Sequence, residues 1–242
     1  MNTIEITRNL MAALEHEPRV NLHRDAIAVD YLDGVATLTG EVADIAAKRL
    51  ALEHAAALPD VRAIIDRLRI RPAERMGDGA IADHLQHSLT SDSAFDDSAI
   101  YRVVRGIRTV VRSTAEAAPR AWIEIRVDDG VVTLDGDVAS LSHKRLAGAL
   151  AWWVPGTRDV VNGLGVEPAE DDNDAEIMDA LRLVLEKDPL VDATQIVARC
   201  TDAVVELEGF LANESQARLA EFDAWAIFGV DRVVNSIKVD RA

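Results

Sequence analysis

The chain has 242 residues, 49% of them apolar, and carries 26 basic against 42 acidic side chains, a formal net charge of −16. Such a charge repels phosphates, which argues against nucleic-acid binding and against broad adhesion to anionic membrane. No apolar run is long enough to span a bilayer, the start MNTIEITRNLMAAL lacks the apolar core of a signal peptide, and one cysteine excludes an internal disulfide. We therefore expect a cytoplasmic protein without a transmembrane segment.

The first 71 residues predict an α-β-β-α-β unit. Apolar residues recur every four positions, which predicts a helix with one buried face: Ile6, Leu10 and Leu14. The proline of HEPRV ends this helix. An alternating segment then predicts a strand, Asp33-Gly34 predicts a two-residue hairpin turn, and VATLTG predicts the second strand. IAAKRLALEHAAAL predicts a second helix, and a final strand completes the unit.

The same unit occurs three times. VATLTGEVADIAAKRLA (35–51) returns as VVTLDGDVASLSHKRLA (131–147), with ten of 17 positions identical, and a more distant copy begins at Val204. Gly40, Gly136 and Gly209 fall in register. The sequence therefore predicts an α+β protein of three tandem units, each a three-stranded sheet covered by two helices. Their predicted boundaries are 1–71 (repeat 1), 78–167 (repeat 2) and 172–240 (repeat 3).

The repeated unit resembles the BON (bacterial OsmY and nodulation) domain. Three segments carry the resemblance: DDGVVTLDGDV (128–138), RLA (145–147) and VPGTRDVVNGLGV (154–166). Repeat 1 departs from the family pattern at PDVRAIIDRL, and repeat 3 departs from it at the turn Asp202-Ala203. The resemblance implies a non-catalytic, transport-associated module that binds phospholipid or a small ligand, often in envelope or osmotic-stress proteins. A potassium-sensing role, as in a relative that joins BON to a LysM domain, is a third alternative.

Motifs for catalysis or metal binding are absent from the sequence. The six histidines are scattered, with neither an HExxH pattern nor a cysteine pair that would complete a zinc site. The acidic run EPAEDDND (167–174) lacks the glycine and the distal glutamate of a calcium loop. We therefore expect no enzyme activity, no metal site and no cofactor.

Trp152 and Trp225 occupy matching positions in repeats 2 and 3. Large aromatic side chains are usually well buried, so the favoured interpretation places them at the core edge or between repeats. The alternative is an exposed apolar patch that contacts lipid or another protein.

Repeat 2 contains an insertion. Ile81 and Ile123 are 23 residues further apart than the equivalent Ile177 and Ile196, and the extra residues lie in IYRVVRGIRTVVRSTAEAAPRAW (100–122). On a helical wheel, the valines and isoleucines of residues 100–111 occupy one side, and four arginines occupy the other: Arg102, Arg105, Arg108 and Arg112. The pattern predicts an inserted amphipathic helix over 100 to about 115.

Two function classes remain open. The protein binds anionic phospholipid or a small ligand through the BON surfaces and the basic insertion, with the four arginines, Trp152 and Trp225 as candidate contacts. Alternatively, it is a soluble scaffold or regulatory protein that acts through protein–protein contacts or as a homo-oligomer. Docking of the insertion on the protein's own body, or in an oligomer, is favoured over membrane contact.

Overall fold

The computed structural model describes residues 3–114 and 120–239. It divides into two compact units, Met1–Arg71 and Pro72–Ala242. Repeat 1 forms the first unit, and repeats 2 and 3 together form the second. Three separate sheets are present in the described residues, each with its own helices, which confirms the α+β class and the tandem arrangement.

The first unit follows the predicted element order. Its elements are α1 (Thr3–His16), β1 (Ile27–Leu32), β2 (Val35–Val42), α2 (Ile45–Ala56) and β3 (Ala63–Ile70). β1 pairs antiparallel with β2, and β3 pairs parallel with β2. The apolar face of α1 is fully buried, together with Leu38 and Leu68 of the sheet. Asp44 caps α2 by accepting a hydrogen bond from the backbone N–H of Ala47 at 2.8 Å.

Repeat 2 has a larger sheet. Its elements are α3 (Asp78–Ser91), a 3-10 turn (Ser93–Phe95), β4 (Ala99–Val104), β5 (Ile107–Arg112), β6 (Trp122–Asp128), β7 (Val131–Val138), α4 (Leu141–Trp152), β8 (Asp159–Asn162) and β9 (Gly165–Val166). The strand order is β5-β4-β6-β7-β8, and β9 also pairs with β7. Repeat 2 thus has the β-β-α-β core of repeat 1 with β4 and β5 added beside its first strand.

Repeat 3 returns to three strands. Its elements are α5 (Asp174–Lys187), a 3-10 turn (Ala193–Gln195), β10 (Ile196–Thr201), β11 (Val204–Leu211), α6 (Glu214–Ala226) and β12 (Arg232–Val239). The strand order is β10-β11-β12, with the same antiparallel and parallel pairings as in repeat 1.

The three glycines that fall in register meet the same backbone requirement in each repeat. Gly40, Gly136 and Gly209 have φ values of +146°, +133° and +146°, in the region that L side chains rarely adopt. A Cβ at Gly136 would lie 2.0 Å from the backbone oxygen of Trp122 on the neighbouring strand. Only glycine therefore fits where the second strand of each hairpin passes the start of the first.

The helix predicted within 100–122 is wrong: residues 99–112 form the hairpin β4–β5, and residues 115–119 of the predicted insertion lie outside the described residues. Arg105 (φ 51°) and Gly106 (φ 78°) form a two-residue turn. Both have backbone angles in the left-handed region, which glycine adopts most readily. The segment is rich in valine and isoleucine, whose branched side chains favour strands. β4 also gains a partner, because it pairs parallel with β6.

Repeats 2 and 3 share a polar contact. α4 packs against α5 and α6. Arg145 of α4 is 1% exposed, and its guanidinium donates to the backbone oxygen of Phe228 at 2.8 Å and to Asp172 at 2.6 Å. Trp153 donates its indole N–H to Asp223 at 2.8 Å. These bonds join the two repeats into one compact unit.

Candidate functional site

The inserted hairpin builds a groove in repeat 2. The groove has a volume of about 510 Å³ and lies between the first turn of α3, the tip of the hairpin and the end of β6. The residues that line it include Asp78 and Asp128, three arginines (Arg102, Arg105 and Arg126) and valines of β4 and β6. The groove depends on the β4–β5 hairpin, which repeats 1 and 3 lack.

The wall of the groove that α3 forms begins at a helix terminus without a side-chain cap. Gly77 precedes the helix and provides no capping hydrogen bond, whereas Asn173 caps the equivalent α5 with bonds to Ala175 and Glu176. The carboxylate of Asp78 points to the β6–β7 turn and accepts hydrogen bonds from the backbone N–H groups of Asp129 and Gly130. The α3 terminus therefore presents backbone N–H groups beside the groove.

The three groove arginines have different partners. Arg102 forms an ion pair with Asp83 on α3 and donates to the backbone oxygen of Gly79. Arg126 bonds Glu124 at 3.2 Å and is half-exposed. Arg105 occupies the turn, where a Cβ on the adjacent Gly106 would meet no atom within 4 Å. Arg105 and Arg126 are thus the more accessible cations of the groove.

Apolar side chains are exposed at the tip of the hairpin. Val104 and Ile107 form the cross-strand pair next to the turn and are 47% and 68% exposed. They lie on the same face of the hairpin as Arg102, which contacts α3. The tip therefore presents apolar surface beside the basic groove.

The other face of the hairpin holds a cation–π cluster. The guanidinium of Arg108 lies 3.6 Å from the ring centre of Tyr101 and 4.9 Å from that of Trp122. The same guanidinium pairs with Glu124 at 3.0 Å. Because Arg126 also bonds Glu124, one carboxylate serves two guanidinium groups, and the cluster keeps a net positive charge.

Arg112 is bound by its own repeat. Its guanidinium donates to the backbone oxygens of Thr90, in the last turn of α3, and of Phe95 and Ser98, in the connection between α3 and β4. The structure therefore places Arg102 and Arg112 on the helix side of the sheet and Arg108 on the opposite side. The predicted single stripe of arginines does not form, and the role of these residues in binding stays a prediction.

Trp152 and Trp225 are 9% and 3% exposed, which agrees with the favoured interpretation that they are buried. The sequence interpretation missed three participants of the hairpin surface: Tyr101, Trp122 and Arg126. These residues alternate along β4 and β6 with the buried Ile100, Ile123 and Ile125, so they lie on the opposite face of the sheet. The pattern becomes visible once β4 is recognised as a strand.

Within residues 3–114 and 120–239, none of the helices combines the length and hydropathy that crossing a bilayer requires. Over the same ranges, no group of three or more His, Cys, Asp or Glu side chains could hold a metal ion. Burial raises the pKa of the Cys200 thiol to about 11, so little reactive thiolate forms near neutral pH. The absence of enzyme activity, metal and cofactor stays a prediction.

Comparison with known families decides the classification. The model of the BON domain matches three segments of the chain, 3–72, 103–168 and 173–241. The chain belongs to the BON domain family. The model thus matches this BON protein once in each repeat, whereas the exact boundaries predicted from the sequence stay predictions.

This BON protein is 30% identical over 122 residues to Osmotically-inducible protein Y of Escherichia coli (strain K12). The match covers 48% of this chain and 61% of that protein, so the two are similar over only part of each length. Two structures of CdsD, a structural protein of the type III secretion system of Chlamydia trachomatis, align over nearly all of both chains. Their identities are 14% and 15% and their TM-scores 0.25 and 0.26, too low to carry an argument.

Proposed function

We propose that this BON protein is a non-catalytic binding protein that holds a phosphate-bearing ligand in the groove of repeat 2. The ligand is the headgroup of an anionic phospholipid or a small soluble phosphate ester. The observation that carries the proposal is the groove itself, about 510 Å³, whose lining residues include three arginines and two aspartates, with exposed apolar residues at its mouth.

The local charge favours an anion. Residues 99–112 contain four arginines and no acidic residue, in a chain whose net charge is −16. The uncapped N-terminus of α3 adds partial positive charge, because its first backbone N–H groups have no partner within the helix. The net negative charge of the chain opposes phosphate binding elsewhere, so the proposed binding is confined to this place.

The hairpin tip supports a membrane-borne ligand. Val104 and Ile107 are positioned to enter the interface while the groove holds the headgroup. Each arginine near an anionic surface contributes about 1 kcal/mol, and salt at 0.15 M screens this attraction beyond about 8 Å. Binding should therefore be weak and should fall as salt is raised.

The similarity to Osmotically-inducible protein Y supports a role in osmotic or envelope stress. The cytoplasmic location predicted from the sequence is compatible with peripheral contact at a membrane surface. It remains part of the proposal.

The test uses co-sedimentation of the full chain with phosphatidylcholine vesicles, with and without phosphatidylglycerol. We expect binding to the anionic vesicles at low salt, and we expect Arg105→Gln with Arg126→Gln to reduce it severalfold. The control exchanges two surface arginines on the helices of repeat 3, Arg182→Gln with Arg218→Gln, which removes the same charge. Equal loss in both variants would mean that net charge and not the groove governs binding.

Glycerol phosphate distinguishes the two sources of phosphate. If the free ester competes fully with vesicles, the groove recognises the phosphate group alone. If vesicles bind and the ester does not compete, the lipid surface is needed as well. If neither probe binds at low salt, the proposal is wrong.

The alternative function, a scaffold that acts through protein–protein contacts, also has an observation in its favour. Within residues 3–114 and 120–239, no strand pairs with the outer edge of β5.

A further inference from the structure

β5 is an edge strand with an open outer side. It ends the strand order of the repeat 2 sheet, and no strand within residues 3–114 and 120–239 pairs with its outer edge. In a two-residue hairpin the closing pair, Val104 and Ile107, exchanges both of its backbone hydrogen bonds. Inward and outward residues then alternate, so the backbone N–H and C=O groups of Arg108 and Val110 point away from β4.

The side chains along this edge combine apolar surface with positive charge. Val110 is 65% exposed and Ile107 is 68% exposed. Residues 105–112 carry three arginines and no acidic residue. Many sheet edges are protected by charge alone, whereas this edge also exposes large apolar side chains.

We propose that β5 accepts an extended, acidic segment of a protein partner as an additional strand of the repeat 2 sheet. The backbone groups of Arg108 and Val110 would supply the ladder bonds, as in other complexes in which a peptide adds to a sheet edge. Ile107 would contact an apolar side chain of the partner. The acidic residues on either side of it would lie on the opposite face of the added strand, where Arg108 lies.

The cluster around Arg108 makes the outer edge of β5 favour a partner strand with acidic side chains. Tyr101 and Trp122 hold the guanidinium of Arg108 by cation–π contact, and Glu124 is shared with Arg126. The guanidinium is therefore oriented but only partly neutralised. A carboxylate on an added strand can complete the neutralisation without moving it.

A second copy of this chain fits the edge less well. Pairing β5 with its own copy would bring together two strands that each carry Arg108 and Arg112 and no acidic residue. Like charges that face one another on neighbouring strands destabilise a sheet. The chain itself shows that this side of the BON sheet accepts added strands, because β4 occupies the edge of β6.

The experiment measures fluorescence anisotropy of a labelled, capped peptide, TEVEVT, on titration with the full chain. We expect TEVEVT to bind and its lysine counterpart, TKVKVT, not to bind. Val110→Pro removes an outward N–H that bonds nothing in β4, and we expect it to weaken binding about tenfold. Ala198→Pro is the matched control, because Ala198 occupies an outward position on the edge strand β10 and should leave peptide binding unchanged.

Arg108→Gln provides a second variant in case the proline disturbs folding, which a thermal melt will reveal. It should weaken TEVEVT binding while keeping the strand intact. Absence of TEVEVT binding, equal binding of both peptides, or full binding by Val110→Pro and Arg108→Gln would each overturn the proposal. If anionic vesicles bind in place of the peptide and Val110→Pro abolishes that binding, the edge is a membrane contact and the proposal is wrong. The phosphate groove is tested separately, because Val110→Pro should leave vesicle binding in the groove unchanged.

Discussion

Asp223 should make the stability of the second unit depend on pH. This carboxyl group of α6 is fully buried between repeats 2 and 3, where it accepts the hydrogen bond from Trp153. Burial raises the pKa of Asp223 to about 8; the bond from Trp153 lowers it, and the nearby Asp188 raises it further. Near neutral pH the folded protein therefore keeps a proton on Asp223 that the unfolded chain releases.

The direction and the size of this pH effect on stability follow from the difference in the pKa of Asp223 between the folded and unfolded states. Because the folded pKa lies above the ordinary value of 3.8, the stabilising contribution is complete below about pH 4 and is lost as the pH rises through about 8. One pKa unit corresponds to about 1.4 kcal/mol, so between pH 6 and pH 8 the wild type should lose about 2 kcal/mol through this group. Asp223→Asn removes the titration but can still accept from Trp153 and donate to Asp188.

The assay is urea unfolding at pH 6, 7 and 8, followed by tryptophan fluorescence. All four tryptophans lie in the second unit, so the signal reports that unit alone. We expect the stability of Asp223→Asn relative to wild type to rise by about 2 kcal/mol from pH 6 to pH 8. Asp179→Asn, which changes an exposed carboxylate on α5, is the control and should follow the wild type. If Asp223→Asn keeps the wild-type pH dependence, the assignment of this proton to Asp223 is wrong.

Three further changes test the fold by the same unfolding assay. Gly136→Ala would place a Cβ 2.0 Å from a backbone oxygen and should destabilise the second unit by about 3 kcal/mol or more, whereas Gly77→Ala, which meets no atom, should be neutral; similar effects would contradict the steric account. Arg145→Met should destabilise the second unit by about 1–3 kcal/mol, because it removes the hydrogen bonds of a buried guanidinium to the backbone oxygen of Phe228 and to the partly exposed Asp172; an unchanged midpoint would show that this contact does not hold the repeats together. Backbone N–H groups of Ala203 and Asp202 lower the pKa of Asp174, so Asp174→Asn should destabilise at neutral pH and progressively less as the pH falls below about 4; a constant difference would refute the charge-based account.

The repeated core could be predicted because its signals are local. Apolar residues at four-residue spacing predicted the buried faces of α1, α3 and α5, and aspartate–glycine pairs predicted two of the three hairpin turns that belong to the repeated unit. The three aligned glycines indicated a shared backbone requirement. Each of these signals lies within a few residues of the structure that it specifies.

The insertion was predicted incorrectly because its pattern of apolar residues fits both the period of a helix and the period of a strand. Valine and isoleucine recur so densely in 100–111 that a helical wheel shows an apolar side, although alternation and the Arg105-Gly106 turn also fit a hairpin. Pairing of β4 with β6, at the far end of the insertion, favours the hairpin. A local pattern carries no information about that partner.

The groove and the buried junction could not be predicted either, because both depend on contacts between distant residues. Asp78 and Arg105 line the same groove only because the hairpin tip lies beside α3. Trp153 and Asp223 are 70 residues apart and come together through packing of α4 on α6. The sequence alone does not distinguish a buried aspartate from an exposed one.

The most direct test of phosphate binding is an NMR titration of the full chain that follows the backbone amides of Gly79 and Gly106. Both glycines line the groove, one on α3 and one at the hairpin tip. Phosphatidylglycerol nanodiscs should shift both amides and leave Gly209, in repeat 3, unchanged, while phosphatidylcholine nanodiscs should shift none of them. Shifts that spread equally over all three glycines, or no shift at Gly79 and Gly106 with anionic lipid at low salt, would contradict the proposed site.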